Sequence, residues 1–193
     1  MQRDDRMCSA HFDVNSNNSH YEALKPSHYC SSSFIARLVR NDIEGAKTIL
    51  PLDAIANMHR VFIPIKLSDD KDDWVGIIID IFLNHIYYYD PKFDNTNSEL
   101  LDRAIKIMDE NVLLVNNFLS LIDIAVFKTD WAYQMLECDY FPRDINENDF
   151  DSAIYLYTVF DMCDHDMPLI FNQNNINVIR SNLCYNVMNG RLS

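Results

Sequence analysis

Glycine and proline are scarce, at 3 and 6 of 193 residues, which excludes collagen-like and linker-like chains and argues against a many-turned all-β architecture. Positive charge is short as well. Lys and Arg number 16 against 29 Asp and Glu, a formal net charge of −13. A nucleic-acid ligand needs a basic footprint, so DNA or RNA binding is not expected. The five cysteines, Cys8, Cys30, Cys138, Cys163 and Cys184, form no CxxC pair. Such an odd, scattered set reads as reduced thiols in an intracellular protein, in cytoplasm or nucleus, with no zinc site. No apolar run reaches the ~18–20 residues needed to cross a bilayer. Residues 1–13 carry Arg3, Asp4, Asp5 and Arg6 and no apolar stretch, so neither a membrane span nor a secretory signal is expected.

What is present suits a packed domain. Hydrophobic residues make up 48% and aromatics 12% of the chain, and a chain of this size buries roughly 70% of its unfolded surface. Residues 1–30 are polar and aperiodic and are expected to form a loose N-terminal arm; residues 31–193 are expected to form one domain. In residues 31–50, Phe34, Leu38, Val39, Ile43, Ala46 and Leu50 recur every three or four positions, which predicts one amphipathic helix. The rhythm then changes. Residues 61–67 form a β-like run whose Pro64 points to an edge or a strand start. An acidic turn follows, then the apolar strand 74–81, a turn at Leu83-Asn84, and a strand at 85–89 before Asp90-Pro91. Together these make a meander. Thr96-Asn97-Ser98-Glu99 matches a capping box and opens a helix. Residues 118–127 fit helix or strand equally well. A strand is expected near 131–138, and helices at 152–163 and 176–188. The order of elements describes an α+β domain.

The block VFIPIKLSDDKDDWVGIIIDIFLNHIYYYDP (61–91), with NDFDSAIYLYTVF (148–160) downstream, resembles the ubiquitin-like-protein-specific, or SUMO (sentrin), cysteine protease family. In that family an apolar strand leads through a turn to His-Trp, then to a strand ending Ile-Asp, and after a hairpin to a strand ending Tyr-Asp. Trp74, Ile79-Asp80 and Tyr89-Asp90 fill the corresponding positions. The downstream segment is similar to the one whose Cys, at the start of a buried helix, is the nucleophile, with an oxyanion-hole Gln six residues earlier. The resemblance implies a papain-like cysteine-protease fold of the SUMO-protease type, with Trp74 lining the channel for a modifier's Gly-Gly tail. The family's second channel Trp, in an N-terminal Trp-Leu motif, has no counterpart here.

The catalytic set implied by the resemblance is degenerate. Asp73 stands at the His position, Ser152 at the nucleophile, Ala153 at the following Gly, and Asn146 at the Gln; anchoring on Phe141-Pro142-Arg143 instead puts Asp144 there. Asp90 alone is kept. Cys–His catalysis needs a thiolate generated by an imidazole. A Ser hydroxyl is a poor nucleophile without a positioned base, and Asp, with a reference pKa of roughly 3.9, is a weak one. Losing one oxyanion donor typically costs ~10²–10³ in rate. The set therefore implies a pseudoprotease that binds a protein, with a ubiquitin-like modifier (SUMO or ubiquitin) as the first candidate, and needs no cofactor.

Two other readings compete. One is an active isopeptidase whose Cys was replaced by engineering at Ser152, or whose nucleophile lies elsewhere in the chain. The other is a structural or assembly protein that takes a basic partner on its acidic rim, since residues 137–166 hold nine carboxylates and one Arg, Arg143. Simpler roles stand beside the sharper ones: Ser152 as a helix cap, Asp73 as the end of a solvated turn, Asp90 as a turn residue, and Trp74 as a core side chain. His85 reads as structural, residues 163–166 (Cys-Asp-His-Asp) as a solvated loop with no metal, and Cys138 and Cys184 as buried thiols.

Overall fold

The structure, a computed structural model, describes residues 25–68, 73–121, 131–136, 152–170 and 173–188. Among the described residues five strands form one sheet in the order β1-β2-β3-β4-β5: β1 (His28–Tyr29), β2 (Arg60–Lys66), β3 (Trp74–Asp80), β4 (His85–Tyr89) and β5 (Ala132–Met135). The centre is the expected meander. β2 and β3 run antiparallel from Arg60↔Asp80 to Lys66↔Trp74, and β3 and β4 from Asp80↔His85 to Gly76↔Tyr89. Both outer strands join in parallel, β1 on β2 and β5 on β4. Within the polar stretch read as a loose arm, residues 28–29 pair in the sheet, and Cys30, whose amide donates to Phe62 O, is buried.

Pro64 lies inside β2, which is not an edge strand. Cys30 N–H donates to Phe62 O, so residue 62, and by the two-residue alternation residue 64, turns its backbone polar groups toward β1. β1 stops opposite Phe62. The N–H that Pro64 lacks therefore has no described ladder partner to lose.

Alternation sorts the side chains into two cores, one on each face. Val61, Ile63, Val75, Ile77, Ile79, Ile86 and Tyr88 pack with the helices α1 (Ser33–Val39), α2 (Ile43–Ile49) and α3 (Ser98–Leu119). Phe62, Ile78, Tyr87 and Tyr89 pack on the opposite face with α4 (Ser152–Asp164) and α5 (Gln173–Met188). Burial on both faces explains why β3 reads as a continuous apolar run.

The periodic stretch 31–50 is two helices, not one. Asn41 adopts a left-handed φ of 55°, and Asp42 caps α2: its Oδ1 accepts from Gly45 N–H at 2.9 Å while Arg37 donates to its Oδ2 at 2.6 Å. The cap holds the Asp42 carboxyl below its ordinary pKa, first through the Gly45 amide and then through Arg37. α3 is capped by Asn97, whose Oδ1 accepts from the amides of Glu99 and Leu100, while the Thr96 hydroxyl donates to Asp94. Of the ambiguous stretch 118–127, Phe118 and Leu119 end α3, and residues 122–127 lie outside the described residues. Phe118 meets Phe34 edge-on at 5.2 Å, fastening α1 to α3. Among the described residues no helix is long and apolar enough to cross a membrane.

Candidate functional site

The start of β3 and the end of β4 meet at one end of the sheet because Gly76 pairs with Tyr89 in antiparallel register. Asp73 and Asp90 both stand there, on the α3 side, and a single guanidinium from α3 joins them. Arg103 donates through one terminal nitrogen to Asp90 Oδ2 at 2.8 Å and through the other to Asp73 Oδ2 at 3.0 Å. Lys92 Nζ lies 3.0 Å from Asp73 Oδ1, and the Lys92 amide donates to Asp90 Oδ1 at 2.8 Å. Two carboxylates are thus balanced by two cations. The Asp90 side chain is fully buried. Burial pushes its carboxyl above the ordinary range, with Arg103 and the Lys92 amide pulling the other way. The buried Tyr88 hydroxyl beside this network has no hydrogen-bond partner among the described residues, and burial raises its pKa. Asp73 is therefore not a solvated turn end, and Asp90 is more than a turn residue.

The other half of the site lies on the α4 face. Ser152 is the first residue of α4 and is buried. Its Oγ accepts from the Trp74 backbone N–H at 3.0 Å, so it ties the helix to the start of β3. Trp74 is half-buried, packs with the α4-side core, and has Lys66 Nζ 6.0 Å from its ring centroid. α4 can come this close because residue 76 is Gly. A Cβ there would lie 2.4 Å from Leu156 Cδ1 and 2.6 Å from Phe160 Cζ.

Asp73, Trp74, Asp90 and Ser152 accordingly gather at one end of the sheet. Asn146 and its alternative Asp144 lie outside the described residues. Chemically the arrangement offers a buried hydroxyl that accepts an amide hydrogen bond and an aspartate held by two cations. Sequence reasoning missed Arg103 and Lys92. The available signal was charge balance, since two carboxylates brought to one sheet end need neutralising partners.

Asp80, matched to the family's Ile-Asp position, sits at the far end of β3 in a different network. Arg60 and Asp80 are both buried, with Nε and Oδ2 3.1 Å apart. Arg60 also donates to the Cys163 carbonyl and pairs with Asp166 at 2.7 Å. Residues 163–166 are thus tied down rather than loose: Asp166 by Arg60, Asp164 by the Tyr29 hydroxyl, and His165 by Asp161. Among the described residues no group of three His, Cys, Asp or Glu is placed to hold a metal ion. The His85 ring lies tilted against that of Tyr87, centroids 4.5 Å apart, beside Asp80, and burial lowers its pKa. Cys30 and Cys163 are buried, free thiols, whereas Cys184, expected to be buried, is exposed.

No protein-family model matches the chain, and no curated protein matches it. Solved structures do. A structure of the SUMO protease Ulp1 with its catalytic cysteine oxidised to a sulfonic acid superposes with a TM-score of 0.67, at 19% identity, over 86% of this chain and 71% of that one. The fold is that of a SUMO protease catalytic domain. The Ulp1 protease domain in complex with Smt3, the yeast ortholog of SUMO, matches at a TM-score of 0.62 and 20% identity, over 82% of this chain and 66% of that one. The Chaetomium thermophilum Ulp1-like SUMO protease catalytic domain matches at a TM-score of 0.56 and 12% identity, covering 82% and 60%. The α+β, papain-like fold of the SUMO-protease type implied by residues 61–91 is the fold observed.

Proposed function

We propose that the chain is a catalytically inactive SUMO-protease-like domain that binds a protein partner, with a ubiquitin-like modifier as the first candidate. The supporting observation is the wiring of the site. The residue before the β3 Trp is an aspartate paired with Lys92 and Arg103, and the hydroxyl at the head of α4 accepts from the Trp74 amide. Thiolate chemistry needs a thiol and a free imidazole in these places. On this reading the scaffold around Trp74 is kept for recognition while the chemistry is gone. The Ulp1 domain of the same fold was captured with Smt3, which gives the modifier class to try first.

The experiment is a titration of the protein against ubiquitin and SUMO-type modifiers, with binding and C-terminal cleavage of a fluorogenic derivative read in the same wells. Binding without cleavage supports the reading. Cleavage well above a Ser152→Ala control overturns it in favour of an active isopeptidase. A basic partner on the acidic rim would use carboxylates other than Asp166, which Arg60 already pairs.

A further inference from the structure

We propose that Arg103 is a built-in latch on this site: by holding Asp73 and Asp90 in one guanidinium fork it neutralises the carboxylate that a base would need, and it keeps the site inert even when a nucleophile and an imidazole are supplied. The inference rests on the reading of the site as an inactive relative of a protease, and it names the residue that maintains that state.

The geometry carries the argument. Arginine offers rigidly spaced donors suited to bidentate pairing, and here the two terminal nitrogens serve two different carboxylates. Both oxygens of Asp90 are engaged, Oδ2 by Arg103 and Oδ1 by the Lys92 amide. An imidazole at position 73 would have to share Asp90 with a guanidinium that already neutralises its charge, so the carboxylate would stabilise the imidazolium less. Arg103 is also held in place, since α3 is fixed to the sheet through Val112, Val115 and Phe118, all buried. Among the described residues, the groups facing position 73 are the Tyr88 hydroxyl from β4, Asp90 and Lys92 just beyond it, and Arg103 from α3. With the aspartate exchanged for a neutral ring, both cations bear on that ring and disfavour its charged form. Removing Arg103 takes away one cation and frees Asp90 Oδ2.

The test uses the full chain carrying Asp73→His with Ser152→Cys, with and without Arg103→Leu. The introduced imidazole is titrated by NMR, and turnover is read on SUMO bearing a C-terminal aminomethylcoumarin. With Arg103 present the imidazole should titrate below the ordinary ~6.5 and the substrate should remain uncut. Adding Arg103→Leu should move the titration up by about one pH unit and turn cleavage on. An imidazole that titrates the same with and without Arg103 overturns the latch, as does a double variant that cleaves as fast as the triple. If the titration moves but the triple variant does not cleave, the latch stands and the protease-derived reading of the site falls. Arg103→Gln, neutral and still polar, supplies the same comparison should Arg103→Leu fail to fold.

Discussion

Gly76→Ala tests how closely α4 must approach the sheet. The added Cβ would lie 2.4 Å from Leu156 Cδ1, and 2.6 and 2.8 Å from two ring carbons of Phe160. Non-bonded carbons settle ~3.5–4.0 Å apart, so the contacts fall short by about 1 Å. These are side-chain ends, but both side chains are buried, and Phe160 is already tilted against Phe62 at 5.0 Å. Relief must come from moving α4. Overpacking of this kind costs ~1–3 kcal/mol. At ~2–4 °C per kcal/mol for a chain of this size, the melting temperature should fall by about 2–12 °C. The strain should also loosen the 3.0 Å Ser152–Trp74 bond at the head of the helix. The assay is urea denaturation of Gly76→Ala, of Leu156→Ala, and of the two combined. Because Leu156→Ala vacates the space the new methyl needs, the pair should cost less than its sum by ~1 kcal/mol or more. Additivity within ~0.5 kcal/mol, or no loss in Gly76→Ala alone, would refute the steric account.

Other outcomes follow from the same structure. Arg60→Met leaves Asp80 buried without its guanidinium and should cost ~3–5 kcal/mol in denaturation, while Arg60→Met with Asp80→Leu should recover part of it. Burial pushes the Cys30 and Cys163 thiols up to about 12. In native protein at pH 8, mass spectrometry should find Cys184 carboxamidomethylated by iodoacetamide and both buried thiols untouched until denaturant is added. Because the unfolded chain gives up those protons near pH ~8.5 while the fold keeps them, stability should decline as pH rises from there toward 12; flat stability between pH 8 and 11 would contradict it. Trp74→Ala should weaken modifier binding at least tenfold in the titration with the fold intact by circular dichroism, and unchanged affinity would remove Trp74 from the binding surface.

The elements read most accurately from sequence were those whose signals are local. β4 has the bounds that the sequence predicts because Asn84 and Pro91 punctuate it, and Asn84 does take a left-handed φ of 51°. The break between α1 and α2 was also written locally, in Asn41-Asp42, but the unbroken three-to-four spacing of apolar residues across it masked the cap. What escaped was whatever depends on partners distant in sequence. Arg60 opens β2, and nothing near it in sequence marks it as a buried ion-pair partner, since Asp80 and Asp166 belong to a later strand and to the turn after α4. Arg103 is one of two basic residues on α3, with Lys106, and only the register of β3 on β4 shows which pair of carboxylates it meets. Ser152 reads from sequence as a cap; that its hydroxyl accepts from the Trp74 amide across the helix–sheet contact depends on a strand distant in sequence.

The two parallel outer strands bear on how the molecule assembles and opens. The antiparallel pairs of the meander join near neighbours, Lys66 with Trp74 and Asp80 with His85, so they close small loops. β1 must wait for α1 and α2, and β5 for all of α3, before His28 can meet Val61 or His85 meet Ala132. Chain closure over longer separations is entropically dearer and slower. Folding should therefore run outward from β3. Amide exchange in the native protein should run the opposite way, with the amides of β1 and β5 exchanging first and those of Ile77–Ile79 last.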